Sequence, residues 1–76
     1  MNNPRRKSLQ KIIDKLEELK TELEELKEEE EEYRDNIPEN LQGSERYEKA
    51  EEACDSLDWA VSNLEDAISS IESSIE

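Results

Sequence analysis

Apolar residues recur at alternating steps of three and four in two long stretches of the chain, as they do on one face of an α-helix. They fill the a and d positions of a heptad repeat, whose positions are lettered a to g, and they predict two amphipathic helices. In the first stretch these positions are Leu9, Ile12, Leu16, Leu19, Leu23, Leu26, Glu30 and Tyr33, interrupted only by Glu30. In the second stretch they are Tyr47, Ala50, Cys54, Leu57, Val61, Leu64, Ile68, Ile71 and Ile75.

The segment between the two patterns, residues 36–44, contains the only Gly and one of the two Pro residues. Asn36 can end the first helix, and Pro38 disfavours a helical conformation in the residue before it. We expect a short helical turn after Pro38, a left-handed conformation at Gly43, and Ser44 as the cap of the second helix. The segment is therefore predicted to be the bend of a helical hairpin.

The fold class predicted from these patterns is all-α, an antiparallel two-helix coiled-coil hairpin that forms one domain over residues 1–76. The first helix is expected at about 8–35, the bend at 36–44 and the second helix at about 45–74. Asn3-Pro4 is one candidate start for the first helix, and Ser8 is another.

Both apolar runs fit one antiparallel register, in which positions equidistant from Asn40 face each other. It places Leu23 opposite Leu57, and it brings Tyr33 and Tyr47 together at the closed end. The e positions of the two helices should also face each other, and their charges are opposite, which favours this hairpin over a parallel pair. They are Lys20, Lys27 and Arg34 on the first helix and Glu51, Asp58, Glu65 and Glu72 on the second.

A column of alanines at the g positions, Ala53, Ala60 and Ala67, widens the apolar stripe of the second helix beyond what one partner helix covers. A single core is marginal in a chain of 76 residues, and one Cys with no His cannot build a disulfide framework or a Cys/His metal site. Either the two helices approach closely along the alanines or a second hairpin docks there, and we predict a homo-oligomer with the alanines in its interface. Cys54, at an a position, is expected to be a buried structural thiol.

The chain has 23 acidic and 10 basic residues and a net charge of -13, which disfavours direct binding to nucleic acid or to an anionic membrane. It contains no apolar run long enough for a signal peptide or a membrane span, so a cytoplasmic protein is expected. Without His or a positioned nucleophile, neither an enzyme nor a cofactor or metal site is expected.

Two surface features are candidate sites for a protein partner. The first helix carries acidic residues on its outer positions, and such a stripe could imitate a phosphate backbone toward a basic, nucleic-acid-binding protein, or simply be a solvated face. Trp59, at an outer f position, is the residue type enriched in binding hot spots. The predicted partner-binding residues are Glu17, Glu18, Glu24, Glu25, Glu28, Glu31, Glu32 and Trp59.

The bend Asn36-Ile37-Pro38-Glu39-Asn40-Leu41-Gln42, followed by Ser44-Glu45-Arg46-Tyr47, resembles small uncharacterised acidic proteins of Firmicutes and their phages. The resemblance implies a helical hairpin and a bacterial or phage setting, and it assigns no functional residues. Two hypotheses follow. The chain is a non-enzymatic regulator or inhibitor that binds a host protein, for example in counter-defence, or it is an assembly module that only oligomerises.

Overall fold

The computed structural model describes residues 1–76, and it is an all-α antiparallel hairpin, as the sequence predicts. Helix α1 spans Asn3–Asp35, a short 3-10 helix spans Glu39–Leu41 in the bend, and helix α2 spans Glu45–Ile75. The two helices pack along their length into a rod of 59 × 15 × 13 Å.

Helix α1 begins five residues earlier than the predicted start at residue 8. Its cap is Asn2, whose side-chain oxygen accepts a hydrogen bond of 2.8 Å from the backbone N–H of Arg5. Pro4 lies in the first turn, where its missing N–H costs no hydrogen bond. Ser8 is not a cap, since it lies inside the helix and its hydroxyl donates to the carbonyl of Pro4 at 3.1 Å.

The bend begins where Asn36 donates its N–H to the carbonyl of Glu32 at 3.0 Å and thereby ends α1. Ile37 follows it and is buried, so this side chain closes the end of the core. Ser44 caps α2 as predicted, because its hydroxyl oxygen accepts from the N–H of Tyr47 at 3.4 Å. The same hydroxyl donates to the carbonyl of Leu41, which ties the cap to the 3-10 helix.

The expectation for Gly43 is wrong. No residue of the chain, glycine included, has a positive φ. The left-handed conformation is unnecessary because the chain leaves α1 gradually, through the 3-10 helix, and reaches Ser44 without a sharp reversal at one residue.

The core consists of six buried residues, Ile13, Ile37, Ala50, Cys54, Val61 and Ile68. Only one of them, Ile13, belongs to α1. The predicted d positions of α1 do not lie in the seam, since Ile12, Leu19, Leu26 and Tyr33 are all exposed. The a positions are half-buried, and so are Lys20, Lys27 and Arg34 at the e positions. Helix α1 therefore turns its a and e columns toward α2, and the prediction of an a and d seam is wrong for this helix.

Two ion pairs connect the helices in the antiparallel register, as the charges of the e positions predict. Lys20 lies 3.6 Å from Glu65, and Lys27 lies 2.9 Å from Asp58. One heptad separates the two lysines along α1, and one heptad separates their acidic partners in the reverse direction along α2.

The closed end differs from the prediction in its aromatic contact. The hydroxyl of Tyr33 accepts a hydrogen bond of 2.7 Å from the guanidinium of Arg46, whose central carbon lies 5.3 Å from the ring centroid. Tyr33 thus contacts Arg46, and the predicted packing of Tyr33 on Tyr47 is replaced by a cation–π contact.

Candidate interaction surfaces

The two long sides of the hairpin differ in the columns that flank the seam. Along one side, e residues of α1 meet acidic e residues of α2, and along the other, the exposed d residues of α1 lie beside the g column of α2. The charged side carries the ion pairs of Lys20 and Lys27, and Lys27 also lies 3.8 Å from Glu31 on its own helix. The hydrogen bond from Lys27 to Asp58 is the main reason that the pKa of this lysine is raised above 10.5. Arg34 pairs with its neighbour Asp35 at 3.0 Å, and that hydrogen bond raises the pKa of Arg34.

A shallow depression of about 270 Å³ lies on the charged side. Its lining is made of charged groups and one thiol, from Lys27, Glu31, Arg34, Cys54, Asp55 and Asp58. Cys54 is buried, as predicted, and burial raises the pKa of its thiol more than the nearby Arg34 lowers it. The sequence pattern did not predict that Arg34 lies near this thiol. A thiol held in its protonated form is a poor nucleophile.

The opposite side exposes an apolar ridge, made of the four d residues of α1. They follow one another at intervals of seven residues, so they form a line roughly 30 Å long at about 1.5 Å per residue. Their exposed fractions are 45% for Ile12, 54% for Leu19, 57% for Leu26 and 43% for Tyr33. Large apolar side chains in such a line are unusual on the surface of a monomer.

The alanine column lies beside the apolar ridge. Arg46 precedes Ala53 by one heptad on α2, and its contact with Tyr33 shows that the g column of α2 runs alongside the ridge. Ala53 and Ala60 are half-buried and Ala67 is exposed. Because alanine has a single methyl group, the column forms a shallow furrow next to the bulkier ridge.

No charged residue occurs at the c, d and g positions of α2 from Ala53 to its end, although the chain as a whole has a net charge of -13. Besides the alanines, this neutral strip contains exposed or half-buried serine, asparagine, leucine and isoleucine. Its other members are Ser56, Leu57, Asn63, Leu64, Ser70, Ile71 and Ser74.

The acidic residues proposed for partner binding fall into two groups in the structure. Glu17, Glu18, Glu25, Glu28 and Glu32 are exposed, and none of them forms an ion pair within the chain. Glu24 and Glu31 are half-buried beside Lys27, and both add to the raised pKa of that lysine. We call the five exposed residues the acidic face.

Trp59 is the most exposed of the large apolar side chains, with 71% of its surface accessible. It lies at an f position of α2, away from the seam and away from the apolar ridge. Its neighbours one turn away along the helix are Asp55, Ser56, Ser62 and Asn63, so the indole stands on a polar surface.

No group of three or more Cys, Asp and Glu side chains converges so as to hold a metal ion. Neither helix contains a segment long and apolar enough to cross a membrane. Comparison with protein-family models finds no match, and comparisons with curated proteins and with solved structures find none either.

Sequence reasoning missed the apolar ridge and the burial of Ile13. One signal was available. Ile12 and Ile13 are adjacent isoleucines, so either side chain could enter the seam. Ile13 belongs to the same e column as Lys20 and Lys27, and an apolar residue in that column favours a seam made of the a and e positions. Lysine stems can pack over a seam while their ammonium groups reach acids on the partner helix.

Proposed function

We propose that this chain is a non-enzymatic protein-binding regulator or inhibitor, and that a basic partner contacts Trp59. The observation that carries the proposal is the exposure of this indole on a polar surface of a rigid helix. Tryptophan combines a large apolar area with few rotatable bonds, and it is among the residues most enriched in binding hot spots.

The acidic face supports a basic partner. Its five carboxylates have no internal counter-ion, and they add to the field of a chain whose net charge is -13. Such a field accelerates encounter with a positively charged protein, and more so at low salt. A protein whose basic groove holds nucleic acid is a suitable target, because the acidic face can take the place of phosphates. In a bacterial cell this activity would suit a phage or mobile-element inhibitor of a nucleic-acid-targeting defence system.

The test is capture from a bacterial lysate followed by kinetics on the captured protein. The tagged chain should retain a foreign basic protein in a stoichiometric amount. Trp59→Ala should accelerate its dissociation by roughly 30-fold or more, which corresponds to a hot-spot loss of about 2 kcal/mol. Leu41→Ala is the matched control, because Leu41 is also exposed but lies in the bend. Equal dissociation rates for the two variants would contradict the role of Trp59.

The acidic face is tested separately by replacing Glu17, Glu25 and Glu28 with Gln. The triple variant should associate more slowly and show a weaker dependence on salt, because exposed charges act mainly on the association rate. An unchanged salt dependence would show that the acidic face is a solvated surface.

A second candidate function is assembly, in which the hairpin serves only to oligomerise. The observation that favours it is the apolar ridge beside the alanine column, on a side of the rod that Trp59 does not share. The two candidates differ in the lysate experiment, since an assembly module would recover only further copies of itself.

A further inference from the structure

We propose that the apolar ridge and the alanine column form the interface between two copies of this chain. The copies are related by a two-fold axis parallel to the rod, so that the ridge of each copy packs onto the alanine column of the other. This inference deepens the assembly candidate and rests on it. It is independent of the foreign partner, because Trp59 lies on another surface.

The shape of this side is complementary to itself. A ridge of large side chains runs beside a furrow of alanines, and the heptad spacing is the same in both. Rotation about an axis along the rod preserves height, so it places Leu26 over Ala53 and Leu19 over Ala60 of the other copy. Ile12 then lies over Ala67. Large residues meet small ones at these three levels, whereas at the closed end Tyr33 lies level with Arg46 of the other copy. One patch serves both copies, as an isologous interface requires.

Charge favours the same arrangement. In it, the g residues of α1 face the c residues of α2 in the other copy. Glu22 lies level with Ser56 and Lys15 with Asn63, while Glu29 lies level with Lys49. No like charges meet along this edge, although both copies carry a net charge of -13.

The alternative two-fold axis, perpendicular to the rod, gives poorer complementarity of both shape and charge. It packs ridge against ridge and alanines against alanines, which leaves space along the furrow. It also brings Glu22 of α1 next to Glu22 of the other copy, at the axis itself. Like charges that face each other destabilise a helical interface.

The available area suits a dimer. One side of a rod 59 Å long and 15 Å wide has an area close to the roughly 800 Å² that each partner contributes to a standard interface. The core of one copy holds only six buried residues, so the burial added by a second copy would matter for stability.

The first test is the mass in solution, measured by light scattering after size exclusion. The parent should have twice the chain mass of 8.9 kDa. Ala60→Glu should give a monomer that is still helical by circular dichroism, because it places a charge in the furrow and leaves the seam intact. Ser62→Glu is the matched control, since Ser62 lies two residues away on the other side of α2 and should leave the dimer unchanged. A monomeric parent would overturn both this inference and the assembly candidate.

The second test fixes the axis by disulfide formation between differently labelled copies, in a Cys54→Ala background. A mixture of Leu26→Cys and Ala53→Cys chains should yield a crosslinked heterodimer. Leu26→Cys mixed with Ala67→Cys should not, because the two sites are offset by about 21 Å along the rod, whereas a disulfide needs Cα atoms within about 7 Å.

The perpendicular axis makes a different prediction, namely crosslinking between Leu26→Cys and Leu19→Cys on facing α1 helices. That result, in a protein with the mass of a dimer, would overturn the proposed geometry and leave the assembly candidate standing. Neither crosslinking result bears on the foreign partner, which is tested by Trp59→Ala.

Discussion

The two long sides of the hairpin differ in how the side chains that flank the seam are packed. On the charged side, Lys20 and Lys27 extend from α1 to acids of α2 and cover the seam with their stems. On the other side, Leu19 and Leu26 stand clear of the seam, beside alanines too small to cover them. The comparison shows that a heptad pattern identifies an amphipathic helix without deciding how the helix is rotated about its axis. That rotation depends on which flanking column can pack over the seam.

The largest expected effect is a loss of stability, and it is tested by comparing alanine substitutions at two adjacent isoleucines, one in the seam and one in the apolar ridge. Ile13→Ala should destabilise the hairpin by about 2 to 5 kcal/mol, because it leaves a cavity in the core. Ile12→Ala makes the same chemical change on an exposed position of the same turn, and its cost should be about 1 kcal/mol or less. Urea unfolding in the Ala60→Glu background, which removes the contribution of the second copy, measures both. Equal losses would show that α1 is not rotated as described.

An intermediate effect is expected when the charged side is made to resemble the apolar side. Replacing Lys20 and Lys27 with Leu removes both ion pairs between the helices and leaves apolar side chains on the charged side, at half-buried positions beside the seam. The hairpin should remain helical, and it should form assemblies larger than a dimer, because both long sides would then present apolar surface. Light scattering would detect the increase. Lys7→Leu together with Lys11→Leu is the control, because both lysines are exposed at the open end of the rod and form no ion pair. An unchanged mass would mean that the ion pairs do not limit assembly.

The smallest effect concerns the titration of Lys27. Its folded-state pKa is raised above 10.5, chiefly by the hydrogen bond to Asp58. The ion pair therefore stabilises the hairpin fully at pH values below 10.5, and this contribution is lost as the pH rises through the higher folded-state pKa. Melting temperatures of the parent and Lys27→Gln should differ at pH 8 and converge at higher pH. The pair is exposed, so added salt should also reduce the difference.

Lys11→Gln is the control for this titration, because Lys11 is exposed and forms no ion pair. A gap between parent and Lys27→Gln that persisted across the alkaline range would assign the effect to packing of the lysine stem.

The hairpin itself could be predicted from the sequence because it depends on local signals. Alternating apolar spacing, the cap at Ser44 and the proline in the bend each act within a few residues, and all three are found as expected. The opposite charges of the e positions also predicted that the two e columns face each other, as they do for Lys20 and Lys27, whereas Arg34 pairs with Asp35 on its own helix.

The rest depends on geometry that a list of residues does not contain. The rotation of α1 follows from competition between two apolar columns, and a register taken from a and d positions alone assigned Leu26 to the core. The expectation for Gly43 assumed that the reversal falls on one residue, whereas the chain distributes it over a 3-10 helix. The acidic face and Trp59 remain predictions about partners, since neither acquires a contact within the chain that would explain it.

If two copies pair as proposed, a core of only six buried residues makes the folded state depend on abundance. With the second copy proposed here, dissociation removes the apolar burial of the interface, and the free energy of unfolding then rises with the logarithm of protein concentration. Newly made chains would pass through a fragile stage, open to proteases, until enough copies had accumulated to protect one another. The cellular lifetime of the protein would then increase with its concentration. The hairpin would act only above a threshold concentration, without a dedicated regulatory site.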